Sequence, residues 1–189
     1  MQLLSEGIGI TWALFWLYWL FSAFGSKKNL HRNLSQSTGI RLILFVLIVI
    51  IARKSLNGHG FSADLGVANH IFLVIVLGLV LFVAGLFLAV WARINIGKNW
   101  GMPMSEKQEP ELVTSGPYRF VRHPIYTGVL SAMLGTALAA NYFWLIIFVG
   151  MAAYFIFSAT REEKLLTKQF PETYPNYVKE SKMLIPFVF

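Results

Sequence analysis

Apolar residues in this chain gather into five long blocks with almost no polar interruption, and blocks of that kind predict helices apolar on every side rather than amphipathic ones. A span needs roughly 20 apolar residues, fewer where flanking side chains snorkel. The blocks therefore predict membrane-spanning helices over about 7–24, 38–56, 71–96, 124–140 and 142–159. The first is dense in Trp and Phe, and the second is short and borrows turns from its flanks. The first lacks a basic n-region and a small-residue cleavage site, so it is expected to be a helix and not a signal peptide. Only Asn141 and its neighbours part the last two blocks, which predicts a tight helical hairpin. A polar stretch follows, in which Leu166 and Phe170 lie four apart on one helical face with Glu162 a turn earlier. Pro171 and Pro175 are expected to break that helix. The expected fold is all-α, a polytopic integral membrane protein of about five transmembrane helices with a cytoplasmic C-terminal helix and tail, in one membrane domain over 1–189.

Composition agrees with that pattern. The chain is 56% hydrophobic and 13% charged, where soluble domains average about 25% charged. It has no cysteine, which excludes disulfides, thiolate nucleophiles, zinc-thiolate sites and iron–sulfur clusters. The net charge of +7 comes from short basic groups beside apolar blocks, where they set orientation and meet anionic headgroups; no nucleic-acid motif accompanies them. Of the 16 Lys and Arg, only Arg53 and Lys54 follow the second helix, and the other 14 follow the first, third and fifth. By the positive-inside rule the amino terminus is expected outside and the carboxyl terminus in the cytoplasm. That brings the 93–126 connection and the 160–189 tail to one side. His31, His59 and His70 have no partner at ligand spacing, so no metal site is expected.

The segment Gly116-Pro117-Tyr118-Arg119-Phe120-Val121-Arg122-His123-Pro124-Ile125-Tyr126-Thr127-Gly128 concentrates the chemistry. Pro124 suits the first turn of a helix, and His123 before it falls at the cap, where unpaired N–H groups and the positive dipole end favour an anion. Spacing alone leaves alternatives open: Arg119 and Arg122 can bind lipid phosphates, His123 can merely cap, and Tyr118 and Tyr126 can belong to an aromatic belt. Glu162 and Glu163 can simply complement a helix dipole. Gly128, Ala132, Gly135 and Ala139 form a small-residue stripe, which predicts close packing of another helix.

Taken in order, Pro110-Glu111-Leu112-Val113, Gly116-Pro117-Tyr118, Arg122-His123-Pro124-Ile125-Tyr126 with Gly128, and Glu162-Glu163 with Leu165, Phe170, Tyr174 and Tyr177 resemble the isoprenylcysteine carboxyl methyltransferase family, which belongs with the membrane phospholipid methyltransferases. The resemblance covers roughly 97–189. It implies a membrane methyltransferase that binds S-adenosylmethionine without a Rossmann domain, in a cytoplasmic pocket closed by the tail. Accordingly, no G-x-G-x-x-G follows a strand. Carried over by position, the cofactor would be held by Pro110, Glu111, Leu112, Val113, Tyr118, His123, Pro124, Ile125, Tyr126 and Glu162. Two positions depart from the family. Ser158 stands where members acting on prenylcysteine have an arginine, with Arg161 one helical turn on, and Pro171 stands where glycine is usual.

Methyl transfer from a sulfonium is an in-line displacement, so alignment and exclusion of water supply most of the catalysis, about 7–11 kcal/mol. A carboxylate acceptor is already ionised at neutral pH and asks only for an orienting cation, for which Arg161 and Arg122 are the catalytic candidates. The expected partners are the lipid bilayer and a lipophilic or prenylated methyl acceptor entering laterally. Two other readings stand beside this one: N-methylation of an aminophospholipid or S-methylation of a small thiol, with His123 or Glu163 as base for an amine, and a non-catalytic membrane adaptor with no cofactor affinity.

Overall fold

The computed structural model describes residues 2–23, 72–100 and 111–189. Among them the order is α1 (Gln2–Ala23), α2 (Phe72–Ile96), a 3-10 turn (Gly97–Asn99), a second 3-10 turn (Gly116–Arg119), α3 (Pro124–Ala139), α4 (Trp144–Gln169) and α5 (Tyr174–Glu180). The expected helix over 38–56 and Pro110 lie outside the described residues. No strand occurs among the described residues, only an isolated parallel bridge between Val121 and Lys182. The chain is an all-α integral membrane protein. α1, α2 and α4 are each long and apolar enough to cross a bilayer. Their outward faces carry Leu14, Leu17, Leu73, Val80, Val83, Ile146 and Val149, all exposed, as hydrocarbon requires of a spanning surface and water does not tolerate.

The closest helix contact is between α2 and α3. A Cβ placed on Gly78, Gly85, Gly128 or Gly135 would overlap backbone atoms of the facing helix. The stripe read on α3 is therefore a packing surface, and α2 answers it with Gly78 and Gly85. α1 joins through Trp12, whose Nε1 donates to Thr136 Oγ1 at 3.1 Å and whose ring lies 5.9 Å from that of Phe82. At the other end of α1, Arg93 donates to the Ser22 carbonyl and, at 2.8 Å, to the Gly97 carbonyl, with its guanidinium 4.6 Å from the Trp100 ring. It satisfies carbonyls that helix ends leave unpaired.

α4 continues ten residues beyond the apolar block that ends at 159 and stops at Gln169 before Pro171. The polar stretch with Glu162 and Glu163 prolongs the spanning helix instead of starting a separate one. Pro175 breaks nothing: it occupies the first turn of α5, where a missing N–H costs nothing. Lengths then fix the depth of the site. α3 has 16 residues and is about 24 Å long. α4, turning back after residues 140–143, has 26 residues and is about 39 Å long. Between sixteen and nineteen residues into α4 the chain passes the start of α3, so His123 meets Glu162 and Glu163 about 27–29 Å from Trp144. Against a hydrocarbon core of about 30 Å, that level is the rim of the bilayer.

Candidate active site at the bilayer rim

His123 is the N-cap residue of α3, makes no side-chain capping hydrogen bond, and is buried. Its Nδ1 lies 3.4 Å from Glu162 Oε2 and its Nε2 lies 3.3 Å from Glu163 Oε1, ion-pair distances on both sides of the ring. The Nε2 contact lacks the alignment of a hydrogen bond. Tyr126, one turn on, donates to Glu162 Oε2 at 3.1 Å. Its ring stacks on His123 (centroids 5.4 Å apart, planes at 3°) and on Phe155 of α4 (4.4 Å, 5°). Arg122 Nε donates to Glu163 Oε1 at 2.7 Å and its Nη1 to the Ser181 carbonyl at 2.6 Å. Arg122, His123 and two carboxylates thus form one cluster at the depth just deduced. Burial opposes charge on His123, but its contacts with Glu162 and then Glu163 outweigh burial and hold its pKa above the ordinary histidine value.

The segment after α5 closes one side. Arg122 N donates to Lys182 O at 2.7 Å, His123 N to Met183 O at 3.1 Å and Lys182 N to Phe120 O at 3.3 Å. Thr127 Oγ1 donates to Leu184 O at 2.6 Å, and Tyr177 OH donates to Tyr118 O at 2.5 Å. Burial pushes the Tyr177 phenol up to about 12, so it stays a donor.

These elements line a cavity of about 360 Å³, within the range of about 300–1,000 Å³ usual for small-molecule sites. Of the residues expected at the site, Glu111, Leu112, Val113, Tyr118, Arg122, His123, Ile125, Tyr126 and Glu162 line it. Pro124 does not; it is fully buried at the start of α3. Arg161 does not either, since it is exposed, with its guanidinium 5.2 Å from the Phe157 ring. Ser158 is completely buried and its hydroxyl has no hydrogen-bond partner. The walls hold residues that pattern alone did not single out: Phe15, Trp16 and Trp19 of α1, Asn99, Trp100, Met151 and Phe155. Their signal was the aromatic series Trp12, Phe15, Trp16 and Trp19 at helical spacing. Asn99 Nδ2 donates to Glu111 at 2.8 Å, while Asn99 Oδ1 and Tyr174 OH are buried without a hydrogen-bond partner in two cavity-lining residues. Groups of that kind call for a bound partner, water or ligand. Among the described residues, no three His, Asp or Glu gather as a metal site would require.

The phospholipid methyltransferase family matches residues 73–173, which contain α2 from its second residue, α3 and α4 with the whole charged cluster. The chain belongs to this family. Among its relatives, a protein-S-isoprenylcysteine O-methyltransferase of Schizosaccharomyces pombe is 30% identical over 108 residues, 55% of this chain and 46% of that protein. The nickel-cobalt-cadmium resistance protein NccN of Alcaligenes xylosoxydans xylosoxydans is 24% identical over 143 residues, 75% of this chain and 62% of that protein. Less than two thirds of either relative's length is covered. Phospholipid methyltransferases are membrane methyltransferases, and a cavity at the rim accords with such chemistry.

Proposed function

We propose that this protein transfers a methyl group from S-adenosylmethionine to a lipophilic acceptor drawn from the bilayer. The observation that carries the reading is the convergence of His123, Tyr126 and Glu162 on one cavity at the membrane rim. The residues present fit the cofactor. Its two positive centres call for carboxylate and aromatic faces, which Glu162, Glu111, Tyr126, Phe155 and Trp100 offer, and its purine amino group calls for an acceptor such as the unpaired Asn99 Oδ1. When bound, it supplies a methyl group activated on a sulfonium.

The protein's own work is positional. The Tyr126 hydrogen bond and His123 fix the direction of Glu162. The backbone pairing of 120–123 with 182–183 holds one wall shut and limits the entry of water. Arg122 is held by Glu163 and the Ser181 carbonyl, which makes it a fastener of that wall.

For the acceptor, carboxyl O-methylation of an isoprenylcysteine-like amphiphile is the first reading, supported by the activity named for the Schizosaccharomyces pombe relative. It needs no base, only a cation to orient the carboxylate. The second, N-methylation of an aminophospholipid, is favoured by the engagement of Arg122 and the outward position of Arg161. An amine must lose a proton, and both ring nitrogens of His123 already lie at ion-pair distance from carboxylates. Glu162 or Glu163 would have to take it. By the positive-inside rule the rim faces the cytoplasm and the amino terminus lies outside.

Titrating S-adenosylhomocysteine into the detergent-solubilised protein tests cofactor binding. Heat and thermal stabilisation are expected, and their absence would leave a membrane adaptor. Labelled cofactor with a farnesylcysteine mimic or phosphatidylethanolamine then separates the acceptors: an alkali-labile methyl ester marks the first and an alkali-stable product the second.

A further inference from the structure

Ile185, Phe187, Val188 and Phe189 are exposed by 53%, 87%, 73% and 48% on a turn closed by hydrogen bonds from Leu184 N (2.7 Å) and Ile185 N (2.5 Å) to Phe189 O, and from Phe189 N to Ile185 O at 3.0 Å. Phe187 has φ 66°, a left-handed conformation that a bulky aromatic residue rarely adopts. The fold thus holds an apolar ring outward at a conformational cost, and none of the contacts above uses it.

The direction of the segment shows what lies there. Residues 182–184 run parallel to 120–123, the segment that leads into α3. Met183 is level with His123, and Leu184 with Thr127, one turn further into α3. α3, at about 24 Å, is shorter than the hydrocarbon core. A turn that begins at the level of Thr127 therefore starts at the acyl-chain border. Phe120, 52% exposed, lies at the start of the paired segment, and exposed Arg119, Lys179 and Lys182 lie within or beside the paired stretches with the charge that anionic headgroups attract, with Glu180 the neighbouring acidic residue among those described.

We propose that the turn 185–189 is a membrane-interface anchor, seating its apolar side chains in the lipid of the leaflet where α3 begins and tying the cavity wall made by 181–184 to the bilayer. Amphipathic elements with aromatic and aliphatic residues on one side and basic residues beside them lie in the interface in this way.

The chain has no cysteine, so single labels can be placed without background. Phe187→Cys and, as an outer reference, Glu172→Cys would each carry an environment-sensitive fluorophore in the full chain, reconstituted in vesicles of phosphatidylcholine with phosphatidylglycerol. The label at 187 is expected to emit at shorter wavelength than that at 172. It should be quenched by spin-labelled lipid more than by iodide, with the reverse order at 172. Equal iodide quenching at the two positions would overturn the anchor. So would a label at 187 shielded from both quenchers with self-quenching that grows with protein density, because a second copy would then cover the turn. Val188→Cys repeats the measurement should Phe187→Cys fail to fold.

Discussion

Gly85→Ala tests whether the α2–α3 contact sets the geometry of the site. A methyl group there would stand 2.5 Å from Ala132 N and from Gly128 O and 3.0 Å from Ser131 Cβ, where ordinary contact begins at 3.4 Å. The shortfall, about 0.9 Å, is against helix backbone, which has no flexible end to swing aside. α2 and α3 must part by about that distance. Overpacking of this kind costs about 1–3 kcal/mol. A gap of about 0.5–1 Å among Phe82, Ala89, Val129 and Met133, which pack in the same cluster, also forfeits a quarter to a half of each contact well. With about 2 kcal/mol as the central value, the folded-to-unfolded ratio falls about 30-fold.

The same displacement reaches the chemistry, because α3 carries His123 and Tyr126. A movement of that size takes the 3.1 Å Tyr126–Glu162 hydrogen bond out of range or into overlap, so affinity for S-adenosylhomocysteine should fall together with stability. Equilibrium unfolding in mixed micelles, followed by circular dichroism, and calorimetric titration read the two effects. Gly150→Ala is the control: nothing lies within 4 Å of its added methyl, and helix propensity there should add up to about 1 kcal/mol. Gly85→Ala unfolding at the wild-type denaturant fraction, with the control behaving as stated, would refute the reasoning.

Glu162→Gln should weaken S-adenosylhomocysteine binding at least about tenfold, about 1.4 kcal/mol, while disturbing ligand-free unfolding less than Glu163→Gln does; calorimetry and thermal melts report the pair. Glu163→Gln leaves the largely buried Arg122, its side chain 9% exposed, facing a neutral group. Breaking buried pairs costs about 3–5 kcal/mol, and retention of the Ser181 carbonyl as acceptor puts the expected loss at about 3 kcal/mol or less. Because the folded pKa of His123 is raised above its unfolded value, its contribution is fully present below about pH 6.5 and is lost as pH rises through the folded pKa; unfolding midpoints from pH 5 upward should show that decline in wild type and not in His123→Gln. Arg161→Ala should change stability by less than about 0.5 kcal/mol and leave KM for a farnesylcysteine mimic unaltered, whereas a large rise in KM would make Arg161 the holder of an acceptor carboxylate.

How much of this was legible in the chain depends on whether a feature is local. The cap at His123 and Pro124, the small-residue stripe on α3 and the ordered residues from Glu111 to Glu162 are local or linear, and the structure brings Glu111, Tyr118, His123, Tyr126 and Glu162 to one cavity. Gly78 and Gly85 are seven apart like Gly128 and Gly135, yet in an all-apolar block a packing face is hard to tell from a lipid face. Trp19, Trp100 and Phe155 were hidden for the same reason, since hydrophobicity does not say which aromatic residue lines a cavity. The pairing of Arg122 was not local at all. Which carboxylate it meets depends on how far α4 has risen when it passes the start of α3, and that follows from helix lengths of 16 and 26 residues joined by four residues. One residue inserted in the middle of α4 would turn Glu162 and Glu163 about 100° around the axis and lift them about 1.5 Å, parting both from His123 while leaving hydropathy unchanged. Such an insertion variant should still enter the membrane and lose cofactor binding, so the depth at which two helices pass each other, and not the motif alone, makes the site.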